Sequence, residues 1–152
     1  MSASKSSSWL IRKATAKDGE AISGLHSRLN RPARSDSVTS EYFVAANGPE
    51  IVGCAAVRYR NATGYLYGLV VQKRWRRRGI GHALTEARLD WLREHHTKSV
   101  FVLAMFWNIR FFQKHRFDTI DRKSKNELGW LHNDFSDIWS RRSVLLCIER
   151  FL

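Results

Sequence analysis

The chain has 152 residues, of which 43% are hydrophobic, and its 26 Lys and Arg against 14 Asp and Glu give a formal net charge of +12. No stretch reaches the roughly 18 consecutive apolar residues of a membrane span, and residues 1–8 lack the apolar run of a signal peptide. We therefore expect a cytoplasmic protein with no membrane partner, in which residues 1–8 are disordered and residues 9–152 form one domain. The positive charge indicates an anionic ligand or a polyanionic partner and says nothing about the fold.

The beginning of the chain predicts a strand followed by an amphipathic helix. A short strand is expected near residues 9–12, and a helix over residues 16–30 begins at a capping box formed by Thr15 and Asp18. The helix packs by an apolar stripe at helical spacing, formed by Ile22, Leu25 and Leu29. Residues 31–40 are rich in Ser and contain Pro32, so we expect a loop or a distorted short helix there.

Three antiparallel strands are predicted next. Strand-like runs at residues 42–46 and 51–59 are separated by the turn formers of residues 47–50, which favours a hairpin. A second turn at residues 61–64 leads into a third run at residues 65–71. These runs predict an antiparallel meander.

The second half of the chain predicts a long amphipathic helix and then further strands. The apolar face of the helix consists of Ile80, Leu84, Ala87 and Trp91. The elements expected after it are a strand at residues 99–103, an aromatic-rich helix at 107–115, and strands at 117–121 and 143–148. This order predicts a mixed α/β sheet of the α+β type rather than an all-parallel sheet.

A basic segment joins the third strand of the meander to the long helix. Residues 73–78 contain five Lys and Arg and are followed by Gly79-Ile80-Gly81. Two glycines let the backbone turn tightly and leave the peptide N–H groups open, and a helix that starts there directs unpaired N–H groups and its positive dipole end at the same point. Cations alone at this end would be unfavourable, so the segment predicts a phosphate-bearing ligand. A solvated basic run and a nuclear-localisation segment are the alternatives.

These residues resemble the GNAT superfamily of acyl-CoA-dependent N-acyltransferases. The run Arg76-Arg77-Arg78-Gly79-Ile80-Gly81 is similar to its Arg/Gln-x-x-Gly-x-Gly/Ala motif, and residues 51–57 and 106–117 resemble its third strand and its Phe-Tyr or Phe-Phe motif. The resemblance extends over nearly the whole chain. Within the superfamily the chain looks most similar to the acetyltransferase domain of N-acetylglutamate synthases and to related small amino-acid-type acetyltransferases.

The resemblance implies a GNAT fold and an acetyl-CoA site. The fold would be a mixed, mostly antiparallel sheet that splays between its fourth and fifth strands and is flanked by helices. The backbone of the fourth strand would hold the pantetheine arm, and an N–H near Val70 would stabilise the oxyanion. The residues implied to bind the cofactor are Leu69, Val70, Val71, Arg76, Arg77, Arg78, Gly79, Ile80, Gly81, His82, Asn108 and Phe112.

Three positions depart from the family pattern. The fourth strand lacks the glutamate that many members use as general base, Phe112 stands where a tyrosine often protonates the thiolate, and Arg116 replaces a glycine, which suggests a changed turn. Tyr65 or Tyr67 is a candidate to hold a catalytic water or donate a proton. Since side chains alternate along a strand, at most one of the two is expected to face the cleft; the alternative for both is a half-buried strand aromatic.

The remaining candidates concern the acceptor, metals and thiols. Arg141 and Arg142 either bind the carboxylate of an amino-acid acceptor or are solvated. No histidine pair has a convincing ligand spacing with a carboxylate or thiolate along the chain, so no metal is expected. Cys54 and Cys147 lie in apolar runs and are expected to be buried thiols.

The sequence therefore predicts an enzyme that transfers an acetyl group from acetyl-CoA to a primary amine of a small molecule such as an amino acid. The alternative is a degenerate GNAT domain that binds CoA or a polyanion without catalysis. A nucleic-acid-binding module ranks third, because no window pairs the basic residues with a nucleic-acid-binding motif. The resemblance also makes a homodimer plausible.

Overall fold

The computed structural model describes residues 8–27, 39–119, 143–148 and 151. Its strands are β1 (Leu10–Lys13), β2 (Thr39–Asn47), β3 (Glu50–Arg60), β4 (Thr63–Val71), β5 (Ser99–Met105), β6 (Asp118–Thr119) and β7 (Ser143–Ile148). Its α-helices are α1 (Gly19–Ser27), α2 (Ile80–Glu94) and α3 (Ile109–Gln113), and short 3₁₀ turns occupy Ala16–Asp18, Lys73–Trp75 and Phe106–Asn108.

The strands form one mixed sheet in the order β1-β2-β3-β4-β5-β7-β6. Strands β4 and β5 pair in parallel, and the other neighbouring strands pair antiparallel. The predicted mixed, mostly antiparallel sheet flanked by helices is confirmed. The strands predicted near residues 9–12 and at 99–103 are shifted or extended by one or two residues, and the strand predicted at 117–121 is described over Asp118–Thr119.

The predicted capping box is present at the start of the first helical segment. The Thr15 backbone N–H donates to the Asp18 carboxylate at 2.7 Å, and Arg12 donates to both oxygens of the same carboxylate at 2.7 and 3.0 Å. These contacts hold the pKa of Asp18 well below its usual range, with the Arg12 hydrogen bonds as the largest cause. The helix expected from residue 16 begins as a 3₁₀ turn, and its predicted end and residues 31–38 of the predicted loop, including Leu29 and Pro32, lie outside the described residues. The last two residues of that predicted loop, Thr39 and Ser40, belong to β2 instead.

Helices cover both faces of the sheet. On one face α2 buries the predicted positions Ile80, Leu84 and Trp91, with Ala87 partly buried against the same cluster. On the other face, Leu25 of α1 packs with a smaller cluster formed by Val44, Ala46, Ile51, Cys54 and Val70. The buried side of α2 extends to Leu89 and Leu92 and is wider than the predicted stripe. Within the described part of the chain, no helix is long and apolar enough to cross a membrane.

In the hairpin between β3 and β4, Ala62 has a strained, left-handed backbone conformation. Asn61 and Ala62 connect Arg60 to Thr63 with φ values of +50° and +62°. Two consecutive left-handed residues in a two-residue loop are the type I′ pattern, which favours Asn-Gly. Ala62 therefore occupies a position that glycine fits better.

We expect Ala62→Gly to raise the free energy of unfolding by about 1 kcal/mol, because it removes the steric cost of a Cβ in the left-handed region. The measurement is urea unfolding at equilibrium. The matched control is Ala83→Gly inside α2, where the same change should lower the free energy by about 1 kcal/mol. Equal destabilisation by both variants would contradict the strained turn.

Candidate functional site

Strands β4 and β5 separate part-way along their length. Their parallel pairing runs from Thr63 and Ser99 to Leu66 and Val102 and ends there. Strand β4 continues to Val71 and β5 continues to Met105. The predicted splay is therefore present, and it leaves one edge of β4 facing a gap.

A bulge in β4 lies just beyond the point of separation. Tyr67 pairs with Ala56 and Val70 pairs with Cys54, so Gly68 and Leu69 together oppose one residue of β3. Gly68 has a φ of +66°, a left-handed conformation that glycine adopts without a steric penalty. The bulge shifts the alternation, so that Leu69 and Val71 join the α2 face of the sheet and Val70 joins the α1 face.

The same bulge decides which amides of β4 face the gap. The Gln72 N–H donates to the Val52 carbonyl at 2.9 Å, and Val70 pairs with Cys54 in the same register. Alternation along an antiparallel pair then directs the polar groups of Val70 toward β3 and those of Leu69 and Val71 toward the gap. Of the three residues predicted to contact the donor through their backbone, Leu69 and Val71 direct their polar groups to the gap, whereas Val70 directs its polar groups to β3.

A buried arginine lies under the bulge and was missed in the sequence. Arg88 is 1% exposed, and its Nη1 donates to the carbonyls of Ala56 and Tyr67 at 3.1 and 3.3 Å. Its other donors reach the Leu84 carbonyl at 3.2 Å and the Thr85 hydroxyl at 3.1 Å. Burial lowers the pKa of Arg88 to about 9, which leaves it charged at neutral pH. Arg88 thus ties α2 to the last pair of residues before the bulge.

The basic segment turns into α2 through two left-handed residues. Gly79 is the N-cap of α2 with a φ of +85°, and Arg77 has a φ of +62°. Gly81 is an ordinary helical residue, where an added Cβ would make van der Waals contact with the Phe111 ring at 3.6 Å and with the Leu69 side chain at 4.0 Å. The expectation that both glycines serve the turn was therefore wrong, since only Gly79 needs the left-handed region.

The three arginines of the motif have different surroundings. Arg76 Nε donates to the Val71 carbonyl at 3.0 Å, and the Arg78 guanidinium lies 4.8 Å from the centre of the Trp75 ring. Within the described ranges, no hydrogen bond or ion pair holds the exposed Arg77 side chain. The first turn of α2 contains no acidic residue. Open N–H groups and one uncommitted guanidinium together make this helix start suited to a phosphate group.

The two candidate tyrosines share a face of β4. The Tyr65 and Tyr67 rings stack 5.8 Å apart at 6°. The expectation that at most one could face the cleft was wrong, because residues two apart on a strand point the same way. Tyr65 is 2% exposed, whereas Tyr67 is half-buried. Burial raises the pKa of Tyr67 to about 12, so this hydroxyl stays protonated at neutral pH and can donate.

A cluster of side chains that includes a buried histidine surrounds Tyr67, and the sequence analysis did not predict it. His26 of α1 is 6% exposed, and an added Cβ at Gly68 would lie 3.1 Å from its ring. The His26 ring therefore sits directly on the bulge. Its Nε2 lies 3.7 Å from Cys54 Sγ. We call this set, which also includes Tyr42 and Arg58, the bulge cluster: His26, Tyr42, Cys54, Arg58 and Tyr67.

The members of the bulge cluster contact one another through their rings. The Tyr42 ring centre lies 6.4 Å from that of His26 and 6.3 Å from that of Tyr67. The Arg58 guanidinium lies 5.1 Å from the centre of the Tyr67 ring. Titratable side chains are thus concentrated on the face of β4 opposite α2, beside the amides that face the gap.

The remaining predicted residues divide into three groups. Asn108 and His82 are exposed, at the starts of α3 and α2. Phe112 is 5% exposed and packs edge-on against Phe111 and Phe117, so its ring belongs to the core before any ligand binds. The predicted acceptor residues, Arg141 and Arg142, lie outside the described residues.

The turn after α3 keeps a glycine-like conformation despite its sequence. Arg116 has a φ of +71°. Arginine at the glycine position of the family pattern therefore adopts the left-handed region that glycine favours, and a changed turn relative to the family stays a prediction.

Comparison with known proteins identifies the family. The model of the acetyltransferase (GNAT) family matches residues 9–117, which is more than half of the chain. The chain belongs to the GNAT acetyltransferase family. The basic segment of residues 73–81 lies inside the matched residues. A comparison with curated proteins gave no match.

Solved structures share the fold. N-acetylglutamate synthase from Neisseria gonorrhoeae, complexed with coenzyme A and N-acetyl-glutamate, has a TM-score of 0.77 at 20% identity over 97% of this chain. The complex of the same synthase with coenzyme A and L-arginine has a TM-score of 0.74 at 20% identity over 93% of this chain. This acetyltransferase spans only about a third of those synthase chains, 36% and 33%.

A second likeness covers both proteins almost completely. Rv2747 from Mycobacterium tuberculosis, solved in complex with CoA, has a TM-score of 0.70 at 20% identity, over 92% of this chain and 98% of its own. At such identities the likeness shows the fold alone.

Both cysteines should resist alkylation in the native protein. Cys54 is 0% and Cys147 3% exposed, both are free, and burial raises the pKa of Cys54 to about 12. The thiolate is the reactive form, so iodoacetamide should label neither residue without denaturant and both in urea. His96→Cys, at an exposed position after α2, should label at once in the native state and serves as the control. Rapid native labelling of Cys54 would mean that the bulge cluster is open to solvent.

Proposed function

We propose that the enzyme transfers the acetyl group of acetyl-CoA to the primary amine of a small molecule, with an amino acid as the favoured class of acceptor. The observation that carries this proposal is the juxtaposition of three features. They are the gap between β4 and β5, the bulge that directs the Leu69 and Val71 amides into it, and the basic N-terminus of α2 next to its mouth.

The donor binds along this edge. The backbone polar groups of Leu69 and Val71 hydrogen-bond the amides of the pantetheine arm. The pyrophosphate lies over the N–H groups of residues 77–82, and the Arg77 side chain pairs with it. Arg76, which bonds the Val71 carbonyl, and Arg78, which stacks on Trp75, contribute charge from fixed positions. Gly79 and Ile80 supply backbone contacts only, because Gly79 has no side chain and Ile80 is buried.

The reaction is a direct attack on the thioester. A neutral amine forms a bond to the carbonyl carbon, and the Leu69 N–H stabilises the oxygen as it becomes negative. The C–S bond then breaks, and the thiolate of CoA leaves with the bonding electron pair. One proton must leave the amine and one must reach the thiolate, and positioning supplies most of the remaining acceleration.

The bulge cluster handles these protons. His26 lies on Gly68, next to the proposed oxyanion donor, and its imidazole can accept a proton. His26 accepts the amine proton directly or through one water. Tyr67, protonated at neutral pH, donates a hydrogen bond toward the departing sulfur or holds that water. This assignment replaces the glutamate that the fourth strand lacks.

The acceptor class rests on weaker support than the donor. The synthase from Neisseria gonorrhoeae was solved with N-acetyl-glutamate, an acetylated amino acid. Arg141 and Arg142 precede β7 in the sequence and suit a bidentate contact with an acceptor carboxylate.

We further propose a cytoplasmic location, which fits two free cysteines. A homodimer stays a prediction, and neither nucleic acid nor a membrane is an expected partner.

The test is an acetylation assay with acetyl-CoA and a panel of free amino acids, read by mass spectrometry of the product and by release of CoA thiol. We expect one class of amino acid to be acetylated at its amine.

His26→Gln should lower kcat by about 100-fold, because a general base supplies roughly that factor. Arg77→Gly removes the charge but keeps the left-handed backbone, so it should raise KM for acetyl-CoA with little change in kcat. His96→Asn is the control and should leave both constants unchanged.

Two results would contradict the proposal. Full activity of His26→Gln would exclude the proposed base. CoA binding without acetylated product from any amine would instead make the chain a CoA-binding module.

A further inference from the structure

Two histidines and a carboxylate converge where α3 meets the first turns of α2. His115 Nδ1 lies 2.8 Å from Glu86 Oε1. The His82 ring centre lies 4.6 Å from that of His115, with the rings tilted by 32°. One potential ligand atom from each of the three residues lies within 4.8 Å of the others.

The fold brings these side chains together from two distant segments. His82 and Glu86 are four residues apart in α2, so they lie on the same side of the helix. His115 follows α3, and its N–H donates to the Phe112 carbonyl at 2.9 Å just before the left-handed Arg116. Phe111 of α3 lies over Gly81, which sets α3 against the first turn of α2. The prediction of no metal considered spacing along the chain and could not detect this contact.

The site combines a buried, fixed ligand with two ligands that solvent can reach, so an ion could enter and be bound. The His115 side chain is 1% exposed and is fixed by its hydrogen bond, while the Glu86 side chain is 44% exposed. His82 is exposed, so it is free to change rotamer. Metal–ligand bonds of about 2.0–2.1 Å place tetrahedral ligand atoms about 3.3 Å apart. The three ligand atoms lie within 4.8 Å of one another, so that spacing needs a shift of the accessible His82 and Glu86 side chains and a small widening of the 2.8 Å contact between His115 Nδ1 and Glu86 Oε1.

We propose that His82, Glu86 and His115 form a binding site for a transition-metal ion of the Zn²⁺ class. The ion replaces the proton shared by His115 Nδ1 and Glu86 Oε1, and His82 closes over it as the third ligand. Two imidazoles and one carboxylate suit Zn²⁺ or Co²⁺ and disfavour Mg²⁺, which prefers oxygen ligands. The fourth position is left for water. Such an ion joins α3 to α2 and holds the aromatic segment against the start of the long helix.

The simpler explanation is a metal-free hydrogen bond between His115 and Glu86. That bond involves two of the residues and does not include His82. The contact between the His82 and His115 rings brings a second imidazole beside the carboxylate, which gives a set of three ligands.

The experiment measures Co²⁺ and Zn²⁺ binding to the full chain without an affinity tag. Co²⁺ is followed by its visible absorption, which reports tetrahedral ligation, and Zn²⁺ by competition with a chromophoric chelator. Mg²⁺ is the chemical control. The variants are His82→Ala and Glu86→Gln, both at side chains with solvent access, so that folding is preserved. His96→Asn removes an exposed histidine outside the site and is the matched control.

We expect one Co²⁺ or Zn²⁺ per chain and a raised unfolding midpoint with Zn²⁺ but not with Mg²⁺. His82→Ala and Glu86→Gln should each weaken binding by at least about tenfold, while His96→Asn should bind as the parent does. The proposal is overturned if the ion binds no tighter than to a denatured control. It is also overturned if the two site variants keep the parent affinity, or if His96→Asn loses as much. Because the readout is metal binding, these outcomes are independent of the acetylation assay.

Discussion

Strand β4 pairs with β3 along most of its length but pairs with β5 only over its first half. The rest of the site depends on this difference between its two edges. Its β5 edge is hydrogen-bonded up to Leu66 and then turns to the gap. The bulge at Gly68 re-aims the strand without breaking its pairing with β3. An edge with open backbone groups can pair with another strand or with an extended ligand, and the Arg76 side chain covers its end by donating to the Val71 carbonyl.

Arg88 makes this arrangement rigid. A charged guanidinium is costly to bury unless its donors are used, and here they reach three backbone carbonyls and a hydroxyl. Because two of those carbonyls belong to Ala56 and Tyr67, the same side chain links the helix that starts at the basic segment to the strands beside the gap. One residue therefore holds the two halves of the proposed donor site in a fixed relation.

Much of the fold could be predicted because it depends on local patterns. Helix α2 could be predicted from the helical spacing of Ile80, Leu84 and Trp91. The two hairpins could be predicted from the turn residues near Gly48 and Asn61. The basic glycine motif is a local pattern of the same kind, and the turn that it predicts at the start of α2 is present at Gly79.

What could not be predicted depends on contacts between distant segments. His26 reaches the bulge from α1, and His115 reaches Glu86 across 29 positions. The position of Arg88 could have been noticed in the sequence, because it lies four residues after Leu84 on the buried side of α2. Its role could not be predicted, because the carbonyl groups that it binds belong to distant strands. The error on Tyr65 and Tyr67 was one of reasoning, because a period of two places them on the same face.

We propose that the gap beside β4 and the start of α2 form one acetyl-CoA site, and a crystal structure with acetyl-CoA bound is the sharpest test. We expect pantetheine between β4 and β5, with polar atoms about 2.9 Å from the backbone of Leu69 and Val71, and the pyrophosphate on the N–H groups of residues 77–82. Acetyl-CoA bound at another surface, with the gap filled by the protein's own side chains, would contradict it.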